Sequence, residues 1–275
     1  MPEIAATDYG IPGGRYTIEV YVRGRSLGGA TTAVPVVSTR PASIPLPPLG
    51  TVGIDPIGVQ VAGLTAWTIP PNSQGYLGPA ALAVFEMLQP PSDPESPDWW
   101  HLLIEAFRCV AWERNDLVSD SETLALPANL LLDSERLARA ASTVDLRHSG
   151  VWPAGMGPVS STAYLCVVDA NGLAVSIIQS NYNGTGSPHG AAHSGFLLHD
   201  RGLGFTLMPG HPNELAPGKR PLHTLSPTLW ADGDKPRWTL GTRGGSVQPQ
   251  LVAQLAARAI LGGRRRGAPA PFPGA

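Results

Sequence analysis

Charge is scarce in this chain. Of 275 residues only 15% are charged, and 19 Lys and Arg stand against 21 Asp and Glu, for a formal charge of −2. A nucleic-acid partner needs a concentrated basic face, which this balance does not supply. Cysteine is scarcer still, with only Cys109 and Cys166. Two distant cysteines build neither a disulfide framework nor a structural metal site. Both sit in apolar runs, which predicts two buried thiols rather than a disulfide. Apolar runs long enough to cross a bilayer are missing, so no membrane partner is expected. The first residues, Met1-Pro-Glu-Ile-Ala-Ala-Thr-Asp8, carry no basic segment and no apolar stretch. A signal peptide is therefore not expected, and a cytoplasmic location is.

Glycine and proline fill much of the gap. Gly (32) and Pro (29) make up over a fifth of the chain, which predicts many turns. They crowd into residues 1–56, where only 16–22 and 33–37 read as strand-like. A poorly ordered Gly/Pro-rich leader is expected there. The hydrophobic fraction of 43% is enough for one large domain or two small ones with a sizeable core.

Regular structure is expected from Ile57 onward. Residues 58–69 read as two strands about a glycine turn. Ser73 or Gly75 is placed to cap a helix over 77–88, with Leu77, Ala81, Val84, Phe85 and Leu88 at helical spacing. A second helix is predicted from Pro97 through Trp112, its stripe formed by Trp100, Leu103, Ile104, Phe107 and Ala111. Asp133 or Ser134 suits the N-cap of a third, over 134–142. A Gly/Pro linker over 148–159 leads to Ser160-Ser161-Thr162 and the run Ala163-Tyr-Leu-Cys-Val-Val168. The turn signal Asp169-Ala-Asn-Gly172 and a second run over 173–180 make this a β-hairpin with a hydroxyl at its start. A short strand is expected over 194–199, two more at 228–230 and 237–240, and a helix over 249–261. Helices, then strands, then a helix suit an α+β fold with a largely antiparallel sheet. Residues 263–275, with three arginines, read as a disordered tail.

A threonine at a strand start can be nothing more than a strand residue. It can also be a latent nucleophile, if cleavage of the Ser161–Thr162 bond frees its α-amino group. That amine, with a pKa of about 7.7–8.0, is a suitable general base for the adjacent hydroxyl. Gly244-Gly245 before a helix could present backbone N–H groups to an oxyanion, or be an ordinary strand-to-helix turn. His189, His193 and His199 lie close in sequence but in a loop and a strand, with no carboxylate to complete an open metal site. The glycine-rich loops lack the endings of phosphate-binding motifs. No metal and no other cofactor is expected.

These residues, taken in order, resemble the γ-glutamyltranspeptidases, members of the N-terminal-nucleophile hydrolases. Thr162-Ala-Tyr-Leu-Cys-Val-Val-Asp169, Asn171-Gly172 and Ala174-Val-Ser176 are similar to that family's nucleophile hairpin. Ser194-Gly-Phe-Leu-Leu198, Pro209-Gly210, Pro217-Gly-Lys-Arg-Pro221 and Ser226-Pro-Thr228 resemble the segments that follow it. Gly244-Gly245 resembles the oxyanion-hole pair. Pro70-Pro-Asn-Ser-Gln-Gly75 and His101-Leu-Leu-Ile-Glu-Ala106 resemble the end of the large subunit. The resemblance implies an αββα sandwich, incomplete in this chain, with large-subunit-like residues at 57–161 and small-subunit-like catalytic residues at 162–262. It implies self-cleavage between Ser161 and Thr162, catalysis by Thr162, Ser180, Gly244 and Gly245, and self-association of the two fragments. Arg201, His223 and Thr224 match positions that line the glutamyl pocket. The substrate would be a small γ-glutamyl compound of the glutathione type, with water or an amino acid as acceptor.

The resemblance is incomplete in the pocket. The family's acid for the substrate α-amino group aligns with Gly204, its usual serine pair reads His223-Thr224, and its carboxylate-clamping arginine has no counterpart here. Loss of both charge clamps should relax discrimination for a zwitterionic glutamyl head. The pattern is closer to the cephalosporin-acylase-like branch. Three readings follow: a γ-glutamyltransferase-like enzyme, an acylase for glutaryl-type amides, or a truncated, inactive relative.

Overall fold

A computed structural model describes residues 55–152, 161–169, 173–187, 189 and 197–262. The expected leader strands at 16–22 and 33–37, the tail and residues 194–196 of the expected strand at 194–199 lie outside these residues, and 197–199 form no strand. The core element is an antiparallel hairpin, β1 (Ile57–Val61) and β2 (Leu64–Thr68). Its two-residue turn places Ala62 at φ 51° and Gly63 at φ 69°, the left-handed pair that a tight hairpin requires. The Ala62 N–H is satisfied by the Glu86 carboxylate at 3.0 Å. Strands β5 (Thr228–Asp232) and β6 (Lys235–Leu240) extend this sheet in the order β1-β2-β5-β6. Asp232-Gly233-Asp234 turns between them, with Gly233 at φ 56°.

Helices cover one face of the sheet. Helix α1 (Leu77–Met87) packs on β1 and is buried from Leu77 to Phe85 on every side. Helix α2 (Pro97–Ala111) packs beside α1 and starts at Ser96, whose side chain accepts the Trp99 N–H at 3.2 Å. Its buried face is centred on Trp99, Leu102, Leu103, Ala106 and Val110. Leu103, Phe107 and Ala111 of the expected stripe are buried, but Ile104 is 39% exposed. Trp99, not Trp100, joins that buried face, where it meets Phe85 edge-on with ring centroids 4.9 Å apart. Trp100 is left at the rim under the Arg258 guanidinium. A one-turn helix, α3 (Arg114–Leu117), precedes α4 (Ser134–Ala141). As expected, Asp133 caps α4, its carboxylate accepting the Arg136 N–H at 3.0 Å. Helix α5 (Gln248–Ala256) packs against α1 and continues to Gly262 in a wider turn.

Ser73 does not cap α1. Its hydroxyl donates to the Leu225 carbonyl at 2.5 Å and accepts the Gly75 N–H at 3.0 Å. It is spent on joining two chain segments that are distant in sequence.

The remaining strands, β3 (Ser161–Val168) and β4 (Ala174–Tyr182), form a separate two-stranded sheet. Its inner face meets β6 through Tyr164, whose hydroxyl lies 3.3 Å from Thr239 Oγ1. On the other face Leu165, Val167, Val175 and Ile177 are all exposed. Cys166 is exposed too and Cys109 is half-buried, so neither thiol is buried as expected. Nothing among the described residues covers the Leu165 face of the hairpin. Among the described residues no helix is long and apolar enough to cross a membrane.

Candidate active site

Thr162 is the second residue of β3. The pairing slips here: Ser161 stands opposite Tyr182, whereas Ala163 stands opposite Gln179. Strand β4 thus has one extra residue where Thr162 sits, the geometry of a β-bulge, which re-aims side chains. The Thr162 hydroxyl donates to Ser180 Oγ at 3.2 Å, and Ser180 Oγ accepts the Tyr182 N–H at 3.0 Å. Tyr182 has φ 76°, an uncommon conformation for a bulky residue. Ser161 shares the strand with Thr162, so the bond expected to be cut lies in the first residues of β3.

Gly244 and Gly245 stand at the entry to α5, with φ 133° and 57°. A Cβ at Gly244 would come within 2.9 Å of Val247. Glycine is thus needed both for the backbone and for the space. Three residues after Gly245, the buried Gln248 donates from Nε2 to Thr162 Oγ1 at 3.4 Å. Its carbonyl oxygen accepts the Ser226 N–H at 3.1 Å. Gln248 therefore joins the glycine loop, the hairpin and the segment before β5. Nothing in the sequence pattern marked it.

The expected pocket residues form a second cluster. Arg201 Nη1 donates to Thr224 Oγ1 at 3.2 Å, and its guanidinium lies 5.4 Å from the Tyr182 ring centroid. Arg201 and Thr224 are both buried. Burial, with the charge of Arg201 and with His199 close by, pushes His223 well below the ordinary histidine value. Its Nδ1 accepts the Leu225 N–H at 3.3 Å, so the neutral ring carries its hydrogen on Nε2. His199 is held low in the same way, by burial and then by Arg201. Tyr182 links the clusters, since it touches Arg201 with its ring and Ser180 with its backbone.

At Gly204 the missing acid has a structural counterpart. A Cβ there would lie 2.7 Å from the Leu222 carbonyl oxygen. Asn213 clips the two segments together, donating to the Gly204 carbonyl and accepting the Leu222 N–H. A carboxylate side chain does not fit this packing. The Pro217–Pro221 motif is anchored at Arg220, which donates its backbone N–H to Asp120 at 2.6 Å and its Nη2 to the same carboxylate at 3.1 Å. Burial would raise the Asp120 carboxyl, but the hydrogen bonds and charge of Arg220 outweigh it and hold the group below the ordinary value.

A separate cleft of about 350 Å³ is lined by Tyr76, Arg108, Glu113, Arg136 and Leu137. No residue of the two clusters lines it.

This mixed α+β architecture is that of the N-terminal-nucleophile hydrolases. The cephalosporin acylase from Bacillus halodurans superposes with a TM-score of 0.66 at 29% identity, over 76% of this chain and 38% of that one. The family model described as gamma-glutamyltranspeptidase matches residues 51–265, and the chain belongs to that family. It is 35% identical over 207 residues to a glutathione hydrolase-like proenzyme of Bacillus subtilis, covering 74% of this chain and 39% of that protein. It is also 35% identical over 208 residues to an oxamate amidohydrolase proenzyme of Klebsiella pneumoniae, covering 76% and 39%. The chain thus spans about 39% of the length of these curated relatives.

Proposed function

We propose that the chain carries the acyl-transfer machinery of a self-processing amidase, with Thr162 as its nucleophile. The observation that carries this reading is the hydroxyl pair Thr162–Ser180 at 3.2 Å, beside the glycine loop that Gln248 ties to it. In the uncut chain the Thr162 oxygen attacks the Ser161 carbonyl carbon. A C–O bond forms as the Ser161–Thr162 C–N bond breaks, and the nitrogen takes up the hydroxyl proton. Water then hydrolyses the ester, leaving a carboxylate on Ser161 and a free hydroxyl and amine on Thr162. The two products, a large-subunit-like part over 57–161 and a small-subunit-like part over 162–262, stay associated, because β2 and β5 lie in one sheet.

The freed amine then serves as base. It takes the hydroxyl proton as Thr162 Oγ1 bonds to the acyl carbon of a small amide. It returns that proton to the departing amine as the C–N bond breaks. Gly244 and Gly245 offer N–H groups to the developing oxyanion. Water or an amine then takes the acyl group. Arg201, His223 and Thr224 line the acyl pocket. Its substrates are γ-glutamyl compounds or simpler acyl amides, and with no acid at Gly204 the pocket does not tell them apart by the ammonium group. A glutaryl amide keeps the distal carboxylate of the glutamyl head without the ammonium group that a carboxylate at 204 would bind.

Purified chain run on a denaturing gel tests the first step. Two fragments split at Ser161/Thr162 are expected, and a single band for Thr162→Ala. A wild-type chain that stays whole after prolonged incubation overturns self-processing. Comparing glutaryl and γ-glutamyl anilides tests the second. Comparable rates are expected, and a strong γ-glutamyl preference would contradict the role given to Gly204.

A further inference from the structure

Arg114 has no part in the chemistry just described, yet it is 5% exposed and stands behind the glycine loop. Its guanidinium donates to three neutral oxygens: Nε to Gln74 Oε1 at 2.6 Å, Nη1 to Asn115 Oδ1 at 2.7 Å and Nη2 to Ser246 Oγ at 3.4 Å. Other arginines of the helix layer have carboxylates: Arg108 has Glu105, Arg136 has Glu113, Arg139 has Glu135 and Arg258 has Glu95. Among the described residues Arg114 has none within ion-pair distance. Burying a charge without a counter-ion is costly, so its place calls for a reason.

Gln74 supplies one. It is fully buried, and its Nε2 lies within hydrogen-bond reach of three carbonyls: Gly245 at 3.1 Å, Ser246 at 3.3 Å and Thr224 at 3.3 Å. Its backbone N–H donates to the His223 carbonyl at 2.9 Å. One side chain thus grips both the loop of the glycine pair and the segment before β5 that carries His223 and Thr224. The guanidinium polarises that amide from the other end. In a site with little water, a fixed cation at this range lowers the energy of a negative oxygen far more than it would in solution.

We propose that Arg114 and Gln74 form a buried cationic brace that fixes the Gly244–Gly245 backbone and holds positive charge behind the oxygen that becomes negative during acyl transfer. This rests on the reading of Thr162 as the attacking group. Arg114 touches no reacting atom and is a positioning residue, acting through Gln74 and Ser246.

The test compares Arg114→Met, Arg114→Lys and Gln74→Glu with the wild-type chain on glutaryl and γ-glutamyl p-nitroanilides. Arg114→Met keeps the stem and removes the charge. Gln74→Glu keeps an oxygen for Arg114 but loses the donor and neutralises the cation. Both should lower kcat by about 10²-fold, the scale of a lost oxyanion interaction, with KM within about threefold. Arg114→Lys should retain more of kcat than Arg114→Met. A rise in KM at unchanged kcat, or equal losses in Lys and Met, overturns the brace. A second readout does not need turnover. Amide hydrogen exchange over residues 244–248 and 223–226 should speed up in each charge-removing variant while β1 and β2 stay protected. Unchanged exchange there also overturns the proposal. If Arg114→Met does not fold, Gln74→Glu carries both readouts. Failure of the Thr162 reading looks different: Thr162→Ala would then match the wild type in turnover, whatever the brace variants do.

Discussion

Gln248 reaches the hydroxyl of Thr162 from 86 residues away, with Nε2 3.4 Å from Oγ1. The contact gives the candidate nucleophile a donor on one side, while its own hydrogen points at Ser180 on the other. A donor aimed at an oxygen that gains negative charge favours attack. Gln248→Glu keeps an acceptor for the Ser226 N–H and removes the donor. It should cut kcat by about 10²-fold, measured with a chromogenic anilide. Gln248→Met, which brings no charge, should lose a comparable amount. A kcat within twofold of wild type in both would show that the contact is structural only.

His223 sets a pH limit on the fold. Its folded-state value is depressed by burial and by Arg201, whereas the unfolded chain titrates near 6.5. Below about pH 6.5 the unfolded state therefore binds more protons, and stability falls as pH falls. His199 acts in the same direction. Melting temperature should thus begin to drop below about pH 6.5, well before the carboxylates titrate. His223→Gln should flatten that part of the profile. A melting temperature independent of pH between 7 and 5 in the wild type would refute this.

The two thiols should separate cleanly. Burial pushes the Cys109 thiol up to about 11, and its Sγ–H donates to the Ala106 carbonyl at 3.2 Å. Cys166 is exposed on the hairpin. Only the thiolate reacts readily. One thiol per native chain should react with a disulfide reagent at pH 8, and the signal should vanish in Cys166→Ser. Two fast thiols in the native chain would contradict the placement of Cys109.

What the sequence made legible was what repeats along the chain. Helical spacing located α1 and α2, a capping signal located α4, and alternation with a turn signal located the β3–β4 hairpin. The start of α2 at Pro97 was readable, but the expected stripe favours Trp100 over Trp99. Nothing in the periodicity tells which of two adjacent tryptophans will find Phe85. Gln74, Arg114 and Gln248 were illegible for another reason. Each is a polar residue whose meaning lies in partners far away in sequence: Gln74 in Gly245, Arg114 in Ser246, Gln248 in Thr162. The catalytic roles of Thr162 and Ser180 and the pocket roles of Arg201 and Thr224 rest instead on the resemblance to the family's motifs, and the geometry brings each pair together.

Gly241 is the point on which docking of the hairpin turns. A Cβ there would lie 2.3 Å from the Tyr164 ring, inside any allowed contact. The ring also uses its hydroxyl twice, accepting from Ser176 Oγ at 3.2 Å and lying 3.3 Å from Thr239 Oγ1. The hairpin that carries Thr162 is thus held to β6 by one tyrosine lying over one glycine. Gly241→Ala should destabilise the chain by about 1–3 kcal/mol, the usual scale for overpacking. It should slow self-cleavage as well, by displacing β3. Tyr164→Leu shortens the side chain and should be less sensitive to what stands at 241. In Gly241→Ala/Tyr164→Leu the two losses should therefore be less than additive, since residues in contact couple. Denaturant melts of the four chains measure the coupling. Additive losses would mean that the Gly241 backbone, rather than the tyrosine above it, requires glycine.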